Sequence, residues 1–353
     1  MRSFDSPPPL PLLSRTDAFE LLAIAVLAPI AWLVPERVWM PIGHVISLAI
    51  ARLWPAVTRA RVATLARALG PRRVDGTLAA LRVAIMDGYM EERLELLRAH
   101  RPRGWRPRLR LHGRAHLYAA LARGRGAVVW TPPFSYADLV VKMALHDAGV
   151  APTHLSVAAR GFSPNSCLVW NPTRFGGAVL SPLRTRVEDR YLHGRVALPP
   201  DGSLAYVRRL ERRLRENGVV SIRAGENGSR VVEVPFLEGH LRLATGAPSL
   251  ALAAGAALLP VFSVRTGPGA FDVVIEPPLA PAETSSRHDA VDELAARYAR
   301  LLEQHVLRHP ELWSGWYTMR LDGDATERAA DAGTRRPDVA PARLHGRAAG
   351  SHR

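Results

Sequence analysis

Gly124-Arg-Gly-Ala-Val-Val-Trp-Thr-Pro-Pro-Phe-Ser-Tyr-Ala-Asp138 is the stretch on which the fold class turns. Residues 127–131 read as a short buried strand, which passes through a Pro-Pro loop into a helix over 137–147, closed by Gly149. Upstream, 108–112 alternates like a strand and 114–122 repeats like a helix. Downstream, strands are expected over 153–158, 219–223, 257–264 and 271–275, with helices over 204–217, 247–254 and 288–307. Strands and helices alternating at this spacing predict an α/β fold, with a mixed, mainly parallel sheet flanked by helices.

In front of this region the period is helical throughout. Leu65, Leu69, Leu78, Leu81, Ile85, Tyr89, Leu94 and Leu97 recur at helical spacing over 62–100, with a break at Gly70-Pro71. Two uncharged runs precede them, 21–34 and 38–51, separated by Pro35-Glu36-Arg37. Each has 14 residues, short of the ~20 that span a bilayer. Trp32, Trp39 and Trp54 are spaced like interfacial anchors. The pair reads as a re-entrant or interface-lying helical module; a single tilted span and two core-packing helices are the other readings. The expected organisation is an apolar and basic helical module over 1–105, an α/β domain over 106–320 and a disordered tail over 321–353.

The chain has 353 residues and a net charge of +15, from 47 Lys and Arg against 32 Asp and Glu. Only Lys142 is a lysine, and Gly-Lys-Ser/Thr occurs nowhere, so a phosphate-binding P-loop is excluded. Neither a Gly-x-Ser-x-Gly elbow nor a His-Glu-x-x-His zinc pair is present. A single cysteine, Cys167, excludes an intramolecular disulfide framework and an all-cysteine metal site. Residues 51–125 hold 17 Arg against five acids, a local +12 directly behind the apolar runs. Such a placement predicts attraction to an anionic membrane surface. Nucleic acid is the competing partner for a basic patch, but no helix-turn-helix or aromatic RNA platform accompanies it, so no nucleic-acid partner is expected.

Three stretches together resemble one family: Gly124 to Asp138, Gly246-Ala-Pro-Ser-Leu-Ala-Leu-Ala-Ala-Gly-Ala-Ala-Leu-Leu-Pro-Val-Phe262, and His309-Pro-Glu-Leu-Trp313. Their order and distances are similar to those of the lysophospholipid acyltransferase superfamily, in particular its lauroyl/myristoyl (late lipid A) branch. The resemblance covers roughly residues 15–320. It implies a lipid hydroxyl attacking a thioester carbonyl, with a His in a His-x4-Asp/Glu pattern taking the hydroxyl proton and the acid orienting the imidazole. Here the acid position is filled by Asp138, and the base position is Pro133. Proline accepts no proton, so the usual mechanism cannot run through this residue.

Ile222-Arg-Ala-Gly-Glu-Asn-Gly-Ser-Arg230 resembles the superfamily's Pro-Glu-Gly-Thr-Arg-Ser loop, with one extra residue and Gly225 in place of Pro. That resemblance gives Glu226, Gly228, Ser229 and Arg230 contacts to the acceptor head group. An Asn-Gly hairpin turn between Val220 and Val232 is the alternative. Arg174, in Asn171-Pro-Thr-Arg-Phe-Gly176, is a further phosphate candidate. The only His-x4-Asp/Glu match is His288–Glu293, read as a helix N-terminal pattern after Ser285-Ser286. His112, His116, His154, His193 and His240 are further histidines that the fold could bring to the loop.

The functional expectation is a membrane-associated acyltransferase-like protein at the cytosolic face of the cytoplasmic membrane, held peripherally, re-entrantly or by one N-terminal anchor. It would move a fatty acyl chain from acyl-ACP or acyl-CoA to a hydroxyl of a (glyco)lipid or lysophospholipid, with a non-standard base. The expected partners are the anionic membrane surface, the lipid acceptor and the acyl carrier; no metal and no cofactor beyond the acyl-carrying co-substrate is expected. The alternative is a catalytically inactive relative that binds lipid or a partner enzyme at the membrane.

Overall fold

The computed structural model describes residues 10–72, 76–102, 104–157, 173–199, 203–226, 228–282, 286–317 and 319–321. Cys167 and the tail after 321 lie outside them.

Four helices come first: α1 (Arg15–Leu33), α2 (Glu36–Leu53), α3 (Pro55–Leu69) and α4 (Leu78–Ala99). The first is longer than its uncharged run. Ser14 caps it, accepting from the Asp17 amide while Asp17 reaches back to the Ser14 amide, which satisfies two donors that a helix start leaves open. Asp17 and Glu20 are buried rather than solvated, and Thr173 donates to Asp17 (2.9 Å). At 19 residues α1 is long and apolar enough to cross a membrane. Pro55 starts a new helix, so α2 and α3 meet at a bend of 101°; the periodicity placed the start of this helix at 62, seven residues late. Among the described residues, exposed large apolar side chains concentrate on α1–α3, with Leu22, Val26, Leu33, Val45, Leu53 and Trp54 outermost. α4 packs against α1, α2 and α3 and joins them to the rest.

The remainder alternates as expected. It runs through β1 (Arg108–His112), α5 (Arg114–Ala122), β2 (Ala127–Thr131), α6 (Ala137–Asp147), β3 (Thr153–Val157), α7 (Ser181–Asp189), β4 (Gly194–Leu198), α8 (Ala205–Arg215) and β5 (Val219–Arg223). There follow β6 (Val231–Phe236), β7 (Gly239–Ala244), α9 (Gly246–Ala254), β8 (Ala257–Gly267), β9 (Ala270–Ile275), α10 (Arg287–Arg308) and β10 (Arg320–Leu321). Seven strands form one sheet in the order β1-β9-β8-β2-β5-β3-β4. Its centre, β8 to β4, is parallel; β9 turns back antiparallel to β8 and β1 lies parallel to β9. The mixed, mainly parallel sheet of the sequence reading is therefore observed.

A second sheet, β10-β7-β6, is antiparallel. It removes the hairpin alternative for 222–230: β5 and β6 belong to different sheets, and β6 pairs with β7. Side chains alternate between the faces of the large sheet, which places the core. Trp130 of β2 and Phe262 of β8 stack on Tyr298 of α10 (3.9 and 6.4 Å between centroids). Phe271 of β9 faces the opposite way, against Tyr136 and Trp105.

Candidate active site

β2 and β5 are adjacent and parallel, with Thr131 opposite Arg223. Both lead into the loops singled out in the sequence, and the Ala224 amide donates to the Thr131 carbonyl (2.7 Å). The Pro133 loop and the 224–230 loop therefore leave the sheet side by side, at the carboxyl ends of neighbouring strands. Ligands of open α/β sheets bind in such a crevice.

The Pro133 loop is held by its backbone. The Pro133 carbonyl accepts from both the amide (3.0 Å) and the hydroxyl (2.6 Å) of Ser314. The Ser135 amide donates to Leu312 (2.8 Å), and Phe134 bridges to Trp313. The stretch His309 to Trp313 thus clamps the loop, with Trp313 seated against Phe236 and Trp316. Asp138 stands in the first turn of α6, and its side chain lies outside the described part of the structure. Tyr136, just before that helix, holds φ at 71°, a left-handed conformation that costs a bulky residue about 1–3 kcal/mol.

A cavity of about 310 Å³ lies beside the second loop, at the lower end of the ~300–1,000 Å³ of small-ligand sites. Leu155, Leu198, Val207, Leu210, Ile222 and Leu250 give it apolar walls. Gly228, Ser229 and Arg230 line it as well, together with Arg223 and Arg287. Gly228 has a steric reason: a Cβ there would stand 2.8 Å from that of Ala244. The Arg230 guanidinium donates to both oxygens of Asp292 on α10 (2.6 and 2.7 Å) and to His288 Nε2 (2.8 Å).

The other sequence candidates fall elsewhere. Glu226 pairs with Arg242 (2.9 Å) and does not line the cavity. Arg174 is exposed, its amide donates to the Pro11 carbonyl (3.0 Å), and it does not line the cavity. Pro133 does not line the cavity either. His288 does not form a dyad with Glu293, whose carboxylate takes the Ala282 amide and Arg297. Ser286 caps the helix, as the N-terminal reading expects. His112 pairs with Asp272 (3.1 Å), and His154 is buried on β3.

Residues 12–321 match the profile of the bacterial lipid A biosynthesis acyltransferases. The chain belongs to that family. Among solved structures, it is similar to the 1-acyl-sn-glycerophosphate (LPA) acyltransferase PlsC of Thermotoga maritima, at 15% identity and a TM-score of 0.36, over 77% of this chain and 98% of that one. None of the curated proteins matches this chain.

This lipid A acyltransferase relative supports its first loop with a buried cluster that no motif marks. Glu91 accepts from the Tyr136 hydroxyl (2.7 Å), and Arg265 pairs with Glu91 (3.4 Å) and Glu95. The Arg265 guanidinium also lies over the rings of Tyr136 (4.7 Å) and Phe271 (5.2 Å). Burial pushes the Glu95 carboxyl well above the usual range and Glu91 upward too, against the pull of Arg265. Burial also raises the Tyr136 phenol. Burial works to lower the Arg265 pKa, but the acidic groups around it, Glu95 first, then Tyr136 and Glu91, raise it. Glu91 and Glu95 are four apart and so share one face of α4, which is the one sign of this cluster in the sequence. Arg265 lies 170 residues from Glu95, and no sequence spacing connects them.

Proposed function

We propose that this protein is a membrane-associated transferase that moves a fatty acyl chain from acyl-ACP or acyl-CoA to a hydroxyl of a (glyco)lipid or lysophospholipid. The observation that carries the reading is the pair of loops leaving β2 and β5 side by side, with the second of them walling an apolar cavity. The cavity takes acyl chain, and Ser229 and Arg230 meet the polar head of the acceptor. In the reaction the hydroxyl oxygen forms an ester bond to the thioester carbonyl carbon and the C–S bond breaks. The hydroxyl proton leaves through a base and reaches the departing thiolate.

The base is not at position 133. Three groups remain: the Asp138 carboxylate, a histidine near the site or a phosphate of the substrate itself. A carboxylate serves only if its surroundings raise its pKa toward neutrality. His288 is in contact with the acceptor loop, through Arg230. The outward apolar side chains of α1–α3 attach the protein to the cytosolic face of the cytoplasmic membrane.

Pro133 favours one second reading, a relative without activity that keeps the lipid cavity and binds lipid or a partner enzyme. Lipid mass spectrometry of cells lacking the gene, re-supplied with wild type or Asp138→Ala, separates the two. A lipid that loses one acyl chain in the deletion and regains it only with wild type is the expected result. An unchanged lipid profile together with no acyl transfer by the purified full chain would overturn the transferase reading.

A further inference from the structure

An open groove of about 620 Å³ lies where the break between α1 and α2 meets the end of α4, the approach to β1 and the turn between β8 and β9. Four guanidinium groups line it, from Arg37, Arg98, Arg106 and Arg108, against the single carboxylate of Glu36. That carboxylate is already engaged. It accepts from the Trp105 indole (2.7 Å) and pairs with Arg98 (3.7 Å), whose guanidinium also covers the Trp39 ring (4.8 Å). Gly269, at φ +56°, has no Cβ and so lets Glu36 lie against the β8–β9 turn. Arg37, Arg106 and Arg108 are exposed and, among the described residues, have no carboxylate partner.

Like charges gathered in one concavity repel, and a bound anion removes that cost. Guanidinium forks match phosphate oxygens in pairs. The groove shares no lining residue with the 310 Å³ cavity, so it is a separate site. Its surroundings identify the source of the phosphate. Trp32, Leu33, Val38 and Ile42, on either side of the α1–α2 break, are exposed apolar side chains. A bilayer that takes up these side chains brings its phosphate layer to the level of Pro35–Arg37.

We propose that this groove binds the phosphate headgroup of an anionic membrane phospholipid, and so fixes how the protein sits on the bilayer. The inference rests on the membrane attachment proposed above, but not on acyl transfer. The test is sedimentation of the full chain with vesicles of phosphatidylcholine alone, or with phosphatidylglycerol added. Wild type is compared with Arg37→Gln/Arg106→Gln/Arg108→Gln. A control of equal charge change, Arg208→Gln/Arg209→Gln/Arg212→Gln, alters exposed positions on α8.

The groove variant is expected to lose binding to the anionic vesicles on the order of 100-fold, taking the usual contribution of each basic residue near a charged bilayer. The α8 control should change several-fold at most, and inorganic pyrophosphate at millimolar level should not displace the wild type. Circular dichroism establishes that both variants fold. Equal losses in the two variants would mean diffuse charge attraction and overturn the site. Full displacement by pyrophosphate would assign the groove to a soluble phosphate and overturn the lipid. Wild type bound to neither vesicle would overturn the membrane attachment and the groove together, whereas tight binding by the groove variant would overturn the groove alone.

Discussion

The two loops at the ends of β2 and β5 are neighbours that differ in what lies beneath them, a buried ion cluster under the first and a cavity beside the second. The Pro133 loop is fastened by backbone hydrogen bonds to residues 312–314 and by a buried ion cluster beneath Tyr136. The 224–230 loop also takes backbone hydrogen bonds, from the Ala244 amide to Gly225 and the Thr245 amide to Arg230, but its charged side chains form two half-exposed ion pairs, Glu226 with Arg242 and Arg230 with Asp292, and it lines a cavity. The comparison shows that the fastening of the first loop is independent of the side chain at position 133. The clamp uses the carbonyl of residue 133 and the amide of residue 135, and neither depends on the side chain at 133. Proline even suits the position, since its missing N–H takes no part in the clamp.

The largest expected effect tests whether the first loop is still a catalytic frame. Pro133→His restores a base five residues before Asp138. If acyl donor and acceptor still bind, the transfer rate should rise by roughly 10²–10⁴-fold, the usual worth of general-base catalysis, as measured with purified protein and acyl-ACP. A folded variant with no gain would show that the frame has drifted from catalytic geometry.

Next in size is the cluster under Tyr136. Arg265→Ala leaves Glu91 buried without its cation and Glu95 without its donor; breaking a buried ion pair typically costs about 3–5 kcal/mol, and chemical denaturation reads it. A loss below about 1 kcal/mol, the scale of an exposed pair, would mean that the cluster does not hold the loop. Arg230→Gln is the counterpart on the second loop. Its ion pair is about one-third exposed (33% and 42%), so stability should fall by less than about 1 kcal/mol, while transfer or lipid binding is lost. A loss of stability without loss of function would reverse the roles assigned to the two loops. Ser314→Ala removes one of the two donors to the Pro133 carbonyl and should cost roughly 1 kcal/mol.

The smallest effect is a pH slope. Glu95 has a folded pKa raised above its unfolded value, so the folded state binds more protons between the two. Its contribution to stability is therefore full below the unfolded value of about 4.3 and declines as pH rises toward the folded one. Glu95→Gln should flatten the fall in Tm as pH rises above the unfolded carboxyl value of about 4.3. An unchanged slope would mean that Glu95 does not carry the proton.

Much of the fold was legible because it is written in short periods. The strands expected at 108–112, 127–131 and 219–223 occur at those residues, and the helix over 137–147 likewise. The strand over 153–158 ends at Val157, and Ala158 lies outside the described residues. What escaped has weak patterning. β6 carries Glu233 and Pro235, β7 carries His240 and Arg242, and α7 is a polar helix with few apolar positions. β4 is a short edge strand. Asp17 and Glu20, both buried on α1, carry no local signal of burial; the cap at Ser14 and the contact with Thr173 engage the first of them.

The sequence by itself determined that a strand, a loop and a helix follow one another at 127–147, that Pro133 accepts no proton and that apolar helices precede a basic stretch. Each of these is a property of residue type or of local spacing. Only the tertiary structure decided that β2 lies against β5, that Gly228, Ser229 and Arg230 wall a cavity while Glu226 and Arg174 do not, and that Arg265 supports Tyr136. Strand order and side-chain contact are set by hydrogen bonds and packing between residues far apart in the chain, and local periodicity contains no record of them.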